Sequence, residues 1–250
     1  MTPSPILKVL SSIQRNGVRA LLMGGQACVL YGGAEFSRDT DLVIVSDVAN
    51  LNRLRAAVFD LDAHAIAVPP FEQRFLDEGL AIHFRCRAAG VEGMRLDVMS
   101  RIRGLPDFEQ LWLRRTTIDT GEQSIEVLSL PDLVTAKKTQ RDKDWPMITR
   151  LVEAHWTQTN RPASDAAIDF WLRELRTPAY LTEVAREAPA SCRRLAEQRP
   201  LLLTALNGDE AALTRLLREE EDREREADRQ YWAPLRRRLE ALRREHHDRL

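Results

Sequence analysis

The sequence predicts an α/β (α+β) fold in which a mixed sheet is flanked by helices and followed by an all-helical C-terminal region. Two observations predict this fold class. Up to about residue 160, short apolar runs alternate with amphipathic segments, which is typical of a chain that builds one sheet and covers it with helices. From about residue 164 onward, the apolar residues recur at helical spacing. We therefore expect two domains, over residues 1–158 and 159–250.

The elements of the first domain follow in chain order. Apolar residues at helical spacing predict a helix over 5–16, and Gly17 is suited to end it. Strands are predicted over 18–23 and 39–45, and between them two glycines lead into a short helix over 26–31. Further strands are expected over 80–87, 94–99, 115–119 and 124–129, and further helices over 50–60, 70–78, 131–141 and 144–155.

The second domain is predicted to contain helices alone. The segments DAAIDFWLREL, YLTEVAREA and RRLAEQRPLLLTAL all have helical patterns, as does the charged tail after Asn207-Gly208. Acidic and basic residues nearly cancel in this tail, which favours a solvated helical surface over a binding patch. Pro234 is expected to kink or end the last helix.

Charge and cysteine content restrict the function. The chain has 37 basic and 38 acidic residues, so any nucleic acid would have to be held by a local patch. Its three cysteines, Cys28, Cys86 and Cys192, are far apart, which predicts a reducing compartment and no disulfides. The sequence shows neither a signal-peptide pattern nor a membrane-spanning apolar run. We expect a cytoplasmic protein that does not act at a membrane.

Two aspartates, Asp39 and Asp41, stand directly before the apolar run Leu42–Val45. Residues two apart on a strand face the same side, about 6 to 7 Å from each other. Adjacent carboxylates repel, and a hard divalent cation such as Mg²⁺ would relieve the repulsion. Alternatively, Asp39 caps a turn and Asp41 pairs with Arg38.

Three further features favour the metal interpretation. Gly24 and Gly25 end a predicted strand, where backbone N–H groups can approach a phosphate without an intervening Cβ. Asp97 is a single carboxylate within an apolar strand, and it would join the other two acids if its strand neighbours theirs. Lys137 and Arg141, four residues apart in a predicted helix, would form one basic face able to meet a triphosphate.

The motifs MGG, DTD before an apolar strand, and a later LDV resemble those of the nucleotidyltransferase superfamily, which has a polymerase-beta-like fold. The segment LPDLVTAKKTQRDKDW is similar to stretches of its AbiEii-like abortive-infection toxin class. The resemblance covers roughly residues 15 to 155. Gly25 stands where many members have serine, so the backbone donors would remain and the hydroxyl donor would be lost.

The resemblance implies transfer of a nucleoside monophosphate from an NTP, such as ATP, to an acceptor hydroxyl, with release of pyrophosphate. Asp39 and Asp41 would bind two Mg²⁺ ions, and Asp97 would help bind the second and assist deprotonation of the acceptor. The nucleotide would be held by Gly24, Gly25, Arg38, Lys137 and Arg141. For Arg38, pairing with a neighbouring acid is an equal alternative.

The acceptor stays open between RNA such as tRNA, a protein and a small molecule. The resemblance favours RNA and a toxin-like enzyme of a toxin–antitoxin or phage-defence system, with a cognate antitoxin as partner. An alternative is a non-catalytic binding module, or an antitoxin-partner protein, that retains the fold. A hydrolase that uses two carboxylates directly would need them spaced across a cleft.

Overall fold

A computed structural model of the chain describes residues 4–34, 36–37, 39–66 and 68–247. The strands are β1 (Ala20–Met23), β2 (Asp39–Ile44), β3 (His64–Ala65), β4 (Ile82–Arg85), β5 (Arg95–Met99), β6 (Thr116–Asp119) and β7 (Ser124–Val127). The helices are α1 (Pro5–Arg15), α2 (Gly24–Leu30), α3 (Val48–Asp60), α4 (Gln73–Asp77), α5 (Phe108–Leu113), α6 (Leu130–Lys137), α7 (Asp144–Gln158), α8 (Asp165–Glu174), α9 (Pro178–Glu187), α10 (Pro189–Leu195), α11 (Leu201–Asn207) and α12 (Glu210–His247).

The described strands form one mixed seven-stranded sheet in the order β3-β4-β5-β2-β1-β7-β6. Strand β2 runs parallel to β5 and antiparallel to β1. Strand β4 is antiparallel to β5, and β1 is parallel to β7. The mixed sheet with flanking helices confirms the predicted α/β fold class.

One face of the central strands is buried and the other is partly open. Leu42, Leu96, Val98, Ile82 and Phe84 are each at most 2% exposed and point to the buried face. The alternate residues of β2, β4 and β5 include the charged ones, because a side chain on the open face keeps access to water. This alternation determines which side chains can meet at the open face.

The chain divides into two compact units. One contains the sheet and comprises the chain up to Ala136 together with the chain from Gln230 onward. The other comprises Lys137–Arg229 and is helical, with Trp171 fully buried in its core. These units are defined by packing, and the predicted domain boundary near residue 158 stays a prediction. None of the described helices combines the length and apolar character needed to cross a membrane.

Several elements differ from the sequence predictions. Helix α6 ends at Lys137 instead of continuing to residue 141. Helix α12 continues through Pro234. Of the two predicted effects of this proline, the end of the helix is therefore wrong, and the kink stays a prediction. The short elements β3 and α5 were not predicted, and each has too few residues to show a clear period.

Candidate active site

The sheet register brings Asp39, Asp41 and Asp97 to the same face. Asp41 and Asp97 are direct partners across the parallel strands β2 and β5. Asp39 lies two residues before Asp41 on β2 and therefore shares its face. Thr40, between them, is fully buried on the opposite face. We expected Asp97 to join the other two acids if its strand neighbours theirs, and β5 does lie directly beside β2.

Gly24 lies directly beside the Asp41 carboxylate. Met23, the last residue of β1, is the register partner of Asp41, and the chain then turns into α2 with Gly24 at φ +69°. A Cβ added at Gly24 would lie 1.9 Å from Asp41 Oδ2, which no real structure allows. Glycine is therefore required here both for the backbone angle and for the approach of the carboxylate.

Gly25 lies close to the side chain of Ser37. A Cβ at this position would lie 2.5 Å from the Ser37 Oγ atom. The Ser37 backbone carbonyl accepts a 2.5 Å hydrogen bond from the Gln26 side chain, which holds this segment against α2. The glycine pair thus accommodates Asp41 on one side and Ser37 on the other.

Two basic side chains contact Asp97, one from its own strand β5 and one from the neighbouring strand β4. Arg95 Nε donates a 2.8 Å hydrogen bond to Asp97 Oδ1, and His83 Nδ1 lies 2.8 Å from the same oxygen. His83 is the register partner of Asp97 on β4. The Asp97 side chain is only 11% exposed, compared with 38% for Arg95. This carboxylate is therefore mostly buried, and the Arg95 guanidinium compensates its negative charge.

The tautomer of His83 decides which partner it binds. Its Nδ1 atom is also 3.1 Å from Arg95 Nη2. With the hydrogen on Nδ1, the ring donates to Asp97; with the hydrogen on Nε2, Nδ1 accepts from Arg95. A histidine on a half-buried strand is usually a structural residue, so the sequence pattern does not indicate a catalytic role for His83.

Arg95 experiences the charge of all three aspartates. The hydrogen bond to Asp97 raises the pKa of Arg95, partial burial lowers it, and the charges of Asp97, Asp39 and Asp41 raise it further. The net pKa is above the ordinary value of arginine. Arg95 is also the register partner of Asp39. The sequence shows Arg95 next to this strand, but only the register reveals that it lies among the carboxylates.

The predicted phosphate-binding cations Lys137 and Arg141 are both bound to Asp144. Lys137 Nζ lies 3.3 Å from Asp144 Oδ1, and Arg141 Nη2 lies 2.7 Å from Asp144 Oδ2. Burial raises the pKa of Asp144, but Lys137, Thr139 and Arg141 together outweigh it and leave the pKa lowered. Arg141 lies beyond the end of α6, so a shared carboxylate, and not helical spacing, brings the two cations together.

The donor atoms at the open face fit a hard divalent cation in kind. Asp39 and Asp41 offer carboxylate oxygens from one strand, which is the ligand type that Mg²⁺ prefers. Among the residues that the structure describes, no group of three or more His, Cys, Asp or Glu side chains is arranged to hold a metal ion. Further ligands to such an ion would have to come from water or a bound phosphate. Arg38 lies outside the described residues.

Comparison with known proteins gives a weak likeness to solved structures. No family model matches the sequence, and no curated protein matches it. A solved structure of an antigenic nucleotidyltransferase-like protein from Paracoccidioides brasiliensis is similar with a TM-score of 0.39 and 17% identity, over 82% of this chain and 90% of that chain. At this level the likeness carries no argument about activity, which has to be judged from the geometry of the carboxylate face.

Proposed function

We propose that the chain is a magnesium-dependent nucleotidyltransferase, which moves a nucleoside monophosphate from an NTP to an acceptor hydroxyl. The observation that supports this best is the register that sets Asp97 beside Asp41, with Asp39 on the same face. Three carboxylates on one partly open face repel one another unless cations compensate their negative charge. A glycine that makes room for Asp41 adds to this support.

Asp39 and Asp41 would hold the metal. When bound, magnesium neutralises charge on the attacking and leaving oxygens of an in-line displacement at phosphorus. Asp97 would accept the proton of the acceptor hydroxyl, whose oxygen attacks the α-phosphorus. The bond from the α-phosphorus to the bridging oxygen breaks, and pyrophosphate leaves with the electron pair.

The remaining predicted residues would bind the nucleotide. Gly24 and Gly25 would leave room for the triphosphate, and Arg38 would neutralise part of its charge. Lys137 and Arg141 are proposed as further phosphate-binding cations. Because both are bound to Asp144 in the described state, a phosphate would have to compete with that carboxylate for them.

The experiment is a label-transfer assay with each α-³²P-labelled NTP, Mg²⁺ and total cellular RNA or protein as acceptor. We expect transfer by the wild type and a loss of more than about 100-fold in Asp39→Asn and Asp41→Asn, since the metal contributes several kcal/mol. Asp119→Asn is the matched control, because Asp119 is exposed at the end of the edge strand β6. Equal activity in all variants would contradict the proposal.

The toxin-like resemblance extends this proposal to a toxin-like cytoplasmic enzyme that acts on tRNA or another RNA and is restrained by a cognate antitoxin. Expression in a bacterial host tests it. Growth arrest by the wild type that Asp41→Asn abolishes would support a toxin, and the modified RNA or protein would be identified by sequencing or mass analysis. Normal growth with the active enzyme would contradict a toxic role.

A binding module that retains the fold without turnover is the second candidate. The observation that favours it is the Asp97 carboxylate, which Arg95 and His83 already engage. Isothermal titration with a non-hydrolysable NTP analogue separates the two functions. Nucleotide binding without label transfer to any acceptor would favour the module.

A further inference from the structure

The Ser37 side chain occupies the space that glycine leaves open at position 25. A Cβ added to Gly25 would lie 2.5 Å from Ser37 Oγ and 2.8 Å from Ser37 Cβ, so a larger residue would overlap this side chain. The backbone of Gly25 does not itself require glycine, because the residue lies within α2 and its φ is outside the left-handed region. Glycine at position 25 therefore serves the close approach of Ser37.

A buried amide fixes the position of Ser37. Gln26, which is only 8% exposed, donates a 2.5 Å hydrogen bond from its Nε2 atom to the Ser37 carbonyl oxygen. Gln26 directly follows Gly25, so the same turn of α2 makes room for the Ser37 side chain and holds its backbone. The Asp41 carboxylate lies against Gly24 in the same way as Ser37 lies against Gly25. A hydroxyl and a carboxylate thus contact two consecutive glycines.

The Ser37 hydroxyl keeps its hydrogen for a further acceptor. Its Oγ atom lies 3.5 Å from the Asp39 backbone carbonyl oxygen, whereas O–H···O hydrogen bonds are usually 2.5 to 3.0 Å long. This contact is therefore weak. The Ser37 side chain is half-buried, so a ligand can reach it. An alanine would fill the space beside Gly25 equally well, and packing alone does not explain a hydroxyl at this place.

We propose that Ser37 is a nucleotide-binding residue, whose hydroxyl donates a hydrogen bond to a phosphate oxygen of the NTP. The inference rests on the proposed nucleotidyltransferase function and adds a neutral donor to its phosphate-binding residues. A triphosphate for which Gly24 and Gly25 leave room would meet the Ser37 hydroxyl at its edge. A neutral hydroxyl can bind phosphate beside Asp39 and Asp41, whereas a lysine or arginine there would be drawn into an ion pair with a carboxylate.

The test is isothermal titration of the full-length chain with α,β-methylene analogues of ATP, GTP, CTP and UTP in the presence of Mg²⁺. Ser37→Ala should bind the preferred analogue about 10- to 100-fold more weakly, because a hydrogen bond to a charged group is lost. In the label-transfer assay, this variant should raise KM and leave kcat nearly unchanged. Its affinity for Mn²⁺ without nucleotide should equal that of the wild type, since the hydroxyl is not a proposed metal ligand. A purely structural role would instead lower stability in urea and Mn²⁺ affinity together.

An exchange variant, which combines Gly25→Ser with Ser37→Gly, separates the hydroxyl from its place in the chain. A side chain on residue 25 would fill the space that Ser37 now occupies, so this variant returns a hydroxyl to nearly the same position. It should bind the analogue within about threefold of the wild-type affinity. Ser124→Ala is the matched control, because Ser124 is exposed on β7, two strands from β2, and should bind the analogue as the wild type does.

Failure of this inference and failure of the proposed function give different results. If the wild type binds an analogue and Ser37→Ala binds it equally well, the hydroxyl is not a phosphate ligand, and the transferase proposal still stands. The same conclusion follows if the exchange variant binds as weakly as Ser37→Ala. If the wild type binds none of the analogues and transfers no label, the proposed function fails and this inference fails with it. Urea unfolding of each variant shows that the affinities are compared on folded protein.

Discussion

Substitution of Gly24 by alanine tests the contact between the glycine turn and the carboxylate face. An alanine at φ +69° is in the left-handed region, which costs a non-glycine residue roughly 1 to 2 kcal/mol. Its Cβ would also lie 1.9 Å from Asp41 Oδ2, so the Asp41 side chain has to move. Overpacking of this kind costs typically about 1 to 3 kcal/mol. We expect Gly24→Ala to lower the free energy of unfolding by about 2 to 5 kcal/mol.

Gly32→Ala isolates the backbone contribution. Gly32 has a similar φ of +76°, and a Cβ there would have no atom within 4 Å. We expect it to lower the free energy of unfolding by about 1 to 2 kcal/mol, the backbone cost alone. The difference between the two variants therefore measures the displacement of Asp41.

The assay is urea unfolding followed by tryptophan fluorescence, with linear extrapolation to water. Titration with Mn²⁺ in the absence of urea measures the affinity of the site for the ion, which should fall because a displaced Asp41 would bind the ion less well. Gly24→Ala should weaken Mn²⁺ binding, and Gly32→Ala should not. Equal loss of stability in the two variants, within about 0.5 kcal/mol and with equal Mn²⁺ affinity, would refute the reasoning.

Three further predictions concern buried groups. Asp144→Asn should lower the free energy of unfolding by about 3 to 5 kcal/mol at pH 7, because it leaves Lys137 buried without its carboxylate. The native pKa of Asp144 is lowered, so the ionised carboxylate stabilises the folded protein above the unfolded pKa of about 3.9. This stabilisation is lost as the pH falls through the native pKa. Urea titrations of the wild type and of Asp144→Asn should therefore converge at acid pH. Thr40→Val should raise the free energy of unfolding, measured by urea titration, by about 1 to 2 kcal/mol. The reason is that the buried Thr40 hydroxyl has no hydrogen-bond partner among the described residues. An unchanged free energy of unfolding would indicate that the hydroxyl has a partner. Burial raises the pKa of Cys86 to about 11, so this thiol should react roughly 200-fold more slowly with Ellman's reagent at pH 8 in the native protein than in urea, and fast native reaction would contradict its burial.

The sequence indicated the main elements of the sheet because their patterns are local. The run Leu42–Val45 and the strand of Asp97 have a clear strand character, and both are strands in the structure. The pattern of α6 was less informative, because no local signal marks its end at Lys137. In α5, Phe108 and Leu111 are three residues apart and both buried, which is a helical signal too short to stand out.

The candidate site required information that no single segment contains. The spacing of Asp39 and Asp41 shows that they share a face, but the approach of Asp97 depends on the pairing of β2 with β5. The position of Arg95 between these acids follows from the same pairing. A one-residue shift in register would have turned Asp97 to the buried face. The sequence therefore identifies candidates, and strand pairing decides which of them meet.

Helix α12 has a consequence for anyone who wishes to shorten this protein. Its last turns belong to the compact unit of the sheet, where Tyr231 and Leu235 lie about 4 Å from a Cβ placed at Gly79 and where Arg238 Nε is 3.0 Å from Glu78 Oε2. A fragment cut before Gln230 would lose these neighbours and uncover the loop around Gly79. A fragment that keeps the whole compact unit of the sheet would instead join Ala136 to Gln230 through an engineered linker and omit the intervening residues.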